Sequence, residues 1–421
     1  MSALINRGNA KGVRQSAERV NTALHNVVDR IPLHDRSPKD LARRLKVHRT
    51  IASRLLGALR LSDPLAVVAN IPGRQGLGAI LEAAEPLVGS EPVSEARKAL
   101  NEFEHLIEHG LGGREVLDVA LGAWLPETRN KHELACRQQI FRGLCGLAGA
   151  SADVTIETTI RYPNEDGIHA NVVEIYGLIG LRRLCPGKAL PIGVLGLVSG
   201  LSTKSGAFVN NLPGCADPDG PPLIEKFCTD PVPPLREIRI DNSRQYLMPG
   251  DEIGNSSKLN IITGVVVSRI GPLFREESDP PRRTGGAHLV ELPTKTLLMD
   301  RLVLDDGSQL RDPQVFMHRP GMRGAVDPND PLRELDRMEC SETIQFLGRG
   351  TERFGALEVA NYPEIIRHVC DLLGLDSSKL VGHRCRVQYP LPHVQYSMGY
   401  MLPSRSEFEA ARAASSAQSS V

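Results

Sequence analysis

Aromatic side chains are scarce in this sequence: 4% of 421 residues, with a single Trp. That excludes a broad base-stacking platform for single-stranded nucleic acid, which needs Phe, Tyr or Trp at intervals. An extended aromatic sugar-binding surface is excluded as well. Long apolar runs are also missing. The longest, ALPIGVLGLVSGL at 189–201, has 13 residues and is broken by three Gly and one Pro. A membrane-spanning helix needs about 20, so no membrane partner is expected. The eight cysteines form no CxxC pair. His132 and Cys136, or His383 and Cys385, could share a face, but no second pair at zinc spacing accompanies either. No metal and no cofactor is expected. No apolar signal core follows the first charges, so the reading is a cytoplasmic protein with reduced thiols.

Net charge is absent, with 50 basic against 50 acidic residues, but the balance is uneven along the chain. Residues 1–60 hold 13 Lys or Arg against 4 acids, a net +9, and the other 361 hold 37 against 46, a net −9. A basic head on an acidic body is the asymmetry of a nucleic-acid-binding module joined to something else. The length fits two or three domains.

Hydrophobic spacing orders the chain. Val20, Leu24, Val27, Val28 and Ile31 predict a helix over 16–31. Ser37-Pro38 starts a second, to about Leu45, since Ser caps orphan amides and Pro suits the first helical position. A third runs from about His48 to Leu59, and 76–148 are mostly helical by pattern. Near residue 152 the texture changes. DVTIETTIRY alternates apolar and polar residues, as a half-buried strand does. IHANVVEIYGLIGL reads as a strand or a buried mixed segment, and further strands are expected in LREIRI, KLNIITGVVVSRI, TKTLLMDRLVL and 384–390, with a helix over 362–374. Residues 213–234, with seven prolines, read as a loop or linker. The expected class is α+β and multidomain. A helix-turn-helix domain spans 1–75, with residues 1–15 polar and mobile, and a helical connector spans 76–150. A mixed α+β effector or dimerisation domain follows at 151–403, and 404–421 form a frayed helix or disordered tail.

The stretch that carries chemistry is PKDLARRLKVHRTIASRLLGAL at 38–59. Leu41, Leu45 and Val47 form one side of a small core; Ile51, Leu55, Leu56 and Leu59 close it from the next helix. Ala42 is small, as two helices crossing at a tight turn require. This is the helix-turn-helix pattern. The residues left outside on the second helix are His48, Arg49, Thr50, Ser53 and Arg54, and on the first Arg43 and Arg44, with Lys46 in the turn. The segment resembles the helix-turn-helix of bacterial regulators of the IclR type, whose pattern runs roughly L-A-x-x-L-G-L-x-x-S-T-V-x-R-L-L-x-x-L. Leu41, Ala42, Leu45, Arg54, Leu55, Leu56 and Leu59 match. Lys46 stands where the turn Gly is usual and Ala52 where a β-branched residue is usual. The resemblance covers 41–59 and implies a DNA-binding transcriptional regulator. A winged domain would continue with a β-hairpin, for which DPLAVVANIPGRQGL has no clear turn.

Other motifs are set aside. GLVSGLSTKSG at 196–206 lacks the glycines of a phosphate loop, and no G-x-S-x-G elbow is present. Asp166-Gly167 and Asp305-Asp306-Gly307 fit turns. Spacing selects no catalytic residues. The expected function is sequence-specific binding of double-stranded DNA in transcription regulation, as a homodimer. Arg43, Arg44, Lys46 and Arg54 would meet phosphates, while His48, Arg49, Thr50 and Ser53 would read base edges. The second part would dimerise, bind a small-molecule effector, or both. The alternative is an enzyme or protein-interaction domain at 152–400 with an appended helix-turn-helix.

Overall fold

Helices fill the first third of the chain, and strands are the main regular structure of the rest, an α+β class. A computed structural model describes residues 7–195, 208–213, 220–232, 234–240, 243–305 and 310–418. Contacts divide the chain into two units that meet between Cys136 and Arg137.

The first unit contains α1 (Arg7–Arg30), α2 (Pro38–Leu45), α3 (Arg49–Leu59), α4 (Pro64–Asn70), α5 (Arg74–Val88), α6 (Ser90–His105) and α7 (Arg114–Trp124). Helix α8 (Pro126–Ala148) crosses the boundary into the second. The mobile N-terminus expected over 1–15 is helical from Arg7, because Val13 and Ala17 extend the apolar stripe and are fully buried. No domain break falls near residue 75: one apolar cluster runs from Val13 through Leu55, Val68, Ile80 and Phe103 to Leu121. The reason lies in α1. Its 24 residues span about 36 Å, long enough to pack against both α4 and α6. The connector predicted at 76–150 is therefore, over α5–α7, part of the same core. Among the described residues this unit has no strand, so no wing follows α3.

The second unit contains β1 (Ala150–Pro163), β2 (His169–Arg183), β3 (Leu190–Leu195), β4 (Phe208–Asn211), β5 (Arg236–Ile240), β6 (Ser243–Met248) and β7 (Leu259–Pro272). After these come β8 (Arg283–Leu289), β9 (Thr294–Leu304), β10 (Arg311–His318), β11 (Arg337–Met338), β12 (Ile344–Arg349), α9 (Tyr362–Leu373), β13 (Leu380–Gln388), β14 (Gln395–Met401) and α10 (Arg405–Gln418). The main sheet has the order β12-β13-β9-β1-β2-β7-β4, with β1 and β9 parallel and the other pairs antiparallel. Two smaller sheets are β11-β10-β14-β8 and β3-β6-β5.

Asp166 makes the β1–β2 hairpin. Its carboxylate accepts from the amides of Ile168 and His169, and Gly167 takes a left-handed φ of 70°. Ile156, Ile160, Val173, Ile175, Leu298 and Leu302 present one sheet face to α9. There Arg384 donates twice to Asp300 at 2.8 Å, and Tyr362 donates to the same carboxylate at 2.7 Å. The next residue along β9, Arg301, points to the opposite face, as the two-residue strand period requires. That face, through Leu297 and Met299, packs on Met317, Tyr396 and Met398 of the β10-β14 sheet.

Of the two readings of the proline-rich stretch, loop or linker, the described residues fit a loop packed on the sheet. Its described part is pinned to β7 by Ile224 N–H to Ile262 O and Gly264 N–H to Pro222 O. The tail expected over 404–421 is helical to Gln418, and Phe408 is buried against Phe274 with ring centroids 5.1 Å apart. Arg405 and Ser406 add polar anchors on Glu276 and Glu277, which the Ala- and Ser-rich composition did not reveal. The phosphate-loop candidate at 196–206 lies outside the described residues, as do Asp306 and Gly307.

Candidate nucleic-acid interface

Helices α2 and α3 are fixed by local chemistry before they pack. Ser37 accepts from the Asp40 amide at 3.2 Å, and Pro38 opens α2. Asp40 is buried beneath the turn that precedes it, where its carboxylate accepts from His34 N–H at 2.6 Å and Asp35 N–H at 3.3 Å. The His34 amide above all holds this carboxyl below its ordinary range.

The helix stops at Lys46, which adopts φ 55°, ψ 35°, while the Val47 amide reaches back to the Ala42 carbonyl at 3.1 Å. Left-handed geometry at this position is the reason Gly is favoured there. Lys46 fills it despite its Cβ. The chain turns within three residues and α3 begins, capped by His48, whose Nδ1 accepts from Thr50 N–H at 3.3 Å. Ala52 and Leu55 are fully buried, and Leu56 and Leu59 nearly so.

What remains outside is one face of α3: Arg49, Thr50, Ser53, Arg54 and Gly57 are all exposed. Their spacing of four along the helix makes that face continuous. Arg43, Arg44, Lys46 and His48 are exposed beside it. The first turn of α3 carries no acidic residue, so the positive end of its dipole is uncompensated by its own sequence.

The cations are not equivalent. Arg43 pairs with Asp40 at 2.5 Å, and Arg54 Nε donates to the Asn70 carbonyl at 3.1 Å. Arg44, Lys46 and Arg49 have no such partner among the described residues. The sequence could not distinguish these groups, because Asn70 lies 16 positions from Arg54. His48 likewise already spends one ring nitrogen on its own helix. The charge asymmetry is also local. Residues 61–136 hold 6 bases against 12 acids, a net −6 within the same unit. Elsewhere in the basic segment Arg14 pairs with Asp63 at 3.3 Å and Arg19 with Glu102 at 3.2 Å.

The second unit holds a feature that sequence reasoning missed, a cavity of about 790 Å³. Glu157, Glu174, Tyr176, His288 and Arg301 line it. Arg301 donates to Glu157 at 2.5 Å. Burial, with the Glu157 charge nearby, pushes the Glu174 carboxyl up to about 7, and burial brings His288 down to about 4. The available signal was an acid in the middle of each of two apolar strands, VTIETTI and VVEIYG. The seven described cysteines are free thiols. Cys136 Sγ lies 3.5 Å from His132 Nε2, and no group of three or more potential metal ligands converges among the described residues. No helix is long and apolar enough to cross a membrane among the described residues.

No protein-family model and no curated protein matches the chain. Among solved structures, one described as a putative protease from Parabacteroides distasonis is similar over part of the chain, at 7% identity and a TM-score of 0.23. The match covers 61% of this chain and 41% of that one. Likeness at this level transfers neither fold nor function.

Proposed function

We propose that this protein binds double-stranded DNA through α2 and α3 and acts in transcription regulation. The carrying observation is the free face of α3: polar, exposed along its length, with Arg49 uncommitted at its first turn and no acid to repel phosphate. Gly57 adds support. It sits inside the helix with open space where a Cβ would be, so packing does not ask for glycine. A helical glycine costs about 1 kcal/mol relative to alanine, and close approach to a partner is a reason to keep it. Arg44 and Lys46, beside the turn, are placed to meet phosphates, while Arg49, Thr50 and Ser53 reach base edges from the helix start. One such helix reads only a few base pairs, so a homodimer on a two-fold site is the expected form.

The test is selection from random duplex DNA with the full-length protein. Enrichment of a two-fold-symmetric site, with affinity falling steeply as salt rises, is expected. Failure to retain duplex DNA at about 50 mM salt, where phosphate contacts are strongest, rejects the proposal.

A further inference from the structure

Glu174 sits in the middle of β2, facing the cavity between the main sheet and the β11-β10-β14-β8 sheet. Four acids line this space, Glu157, Glu174, Glu291 and Asp327, and the circumstances of the two on the main sheet differ. Glu157 is neutralised by Arg301, whose guanidinium is also held by the carbonyls of Met398 and Asp300. Glu174 has no hydrogen-bond or ion-pair partner among the described residues. Beside it the Tyr176 ring stacks on His288 at 5.8 Å between centroids, and neither ring's polar atom has a hydrogen-bond partner among the described residues. Val172, Val265 and Phe316 add apolar wall. Arg301 keeps one unpaired nitrogen, but it is shielded from the cavity by Gly286, where any Cβ would fall 2.9 Å from it. The remaining Arg301 nitrogen is therefore not available to a ligand, whereas the Glu174 carboxylate is.

An enclosed carboxyl without a protein partner is costly, and an apolar pocket with a few convergent polar groups is the usual form of a small-molecule site. We infer that this cavity binds a small organic ammonium ion with an apolar body, its charged end on Glu174 against the face of Tyr176. The burial that hinders ionisation of empty Glu174 is offset when a cation enters, and the neutral His288 adds no repulsion. Tyr176 supplies a ring face for the same cation. Glu157, already paired, sets the negative side of the pocket without competing for the ligand.

The probe is phenethylammonium, titrated calorimetrically into the full-length protein, with phenethyl alcohol and phenylacetate as neutral and anionic counterparts. The ammonium is expected to bind with sub-millimolar affinity and each counterpart at least tenfold more weakly. Glu174→Gln should weaken the ammonium at least tenfold and leave the alcohol unchanged. Tyr176→Leu, which keeps apolar bulk and the carboxyl, should weaken it about threefold and serves if the first variant does not fold. Equal binding of all three probes, preference for phenylacetate, or no heat at millimolar ammonium overturns the inference. So does a Glu174→Gln protein that folds and binds the ammonium as before.

Discussion

Lys46→Gly separates what the α2–α3 turn needs from what a DNA partner needs. A side chain held in left-handed backbone costs about 1–2 kcal/mol, and Lys46 stands there at φ 55°, ψ 35°. Glycine removes that cost but adds conformational freedom to the unfolded chain, about 0.5–1 kcal/mol against the fold. The net expectation is a gain of about 0.5–1 kcal/mol. The Lys46 side chain is exposed and has no partner among the described residues, so little packing is lost. Trp124 is the chain's one tryptophan; it lies on α7 against the core of the same helical unit, so its fluorescence reports that unit's unfolding. With a urea slope of about 1–3 kcal/mol per molar, the midpoint should rise by about 0.2–1 M. On duplex DNA the variant should lose about 0.9 per subunit from the slope of log affinity against log salt. A lower midpoint with an unchanged urea slope refutes the turn geometry, and an unchanged salt slope removes Lys46 from the phosphate contacts.

Arg44→Ala should weaken binding to the selected duplex and to a scrambled one by similar factors, measured by fluorescence anisotropy at one salt concentration. Arg43→Ala should cost less, because the Arg43 guanidinium is already spent on Asp40. Asp40→Asn should lower the Trp124 urea midpoint at pH 7. Asp40 has a carboxyl held below 3.8 in the fold, so it stabilises above that value and the contribution fades as pH falls further. The wild-type and variant midpoints should therefore converge in acid. Glu174 has the opposite sign. Its carboxyl, facing Glu157 on β1, Arg301 on β9, Tyr176 beside it and His288 on β8, is raised from 4.5 to about 7. The folded form keeps a proton that the unfolded chain has released, so stability is full below 4.5 and is lost as pH rises through 7. Glu174→Gln should remove that loss, a difference of up to about 3 kcal/mol above pH 7. Far-ultraviolet circular dichroism in urea at pH 5 and pH 8 reads it.

Local chemistry was legible in the sequence where the causes are local. Ser37-Pro38 set the start of α2 within one residue, apolar–polar alternation marked β1, and β-branched and apolar stretches marked β7 and β9. The αL demand at Lys46 was visible as a departure from a glycine pattern. Distant causes were not legible. Nothing near Arg54 points to Asn70, and nothing in 76–124 announces that α1 binds those helices into one core. The cavity was hidden for the same reason. Glu157 and Arg301 lie 144 positions apart and meet only because β1 and β9 pair in parallel.

Binding of the Arg49→Ala variant to the selected duplex and to a scrambled one, at equal salt, tests the DNA-reading role of α3 most directly. Arg49 is exposed at the first turn of α3, with no partner among the described residues. A bidentate contact from its guanidinium to guanine is worth about 1–3 kcal/mol of discrimination. The variant should lose about 5- to 150-fold on the selected duplex and far less on the scrambled one, with preference relaxed at one base position per half-site. Equal losses on both would place Arg49 on the phosphate backbone, and no loss on either would contradict the assignment of α3 as the reading helix.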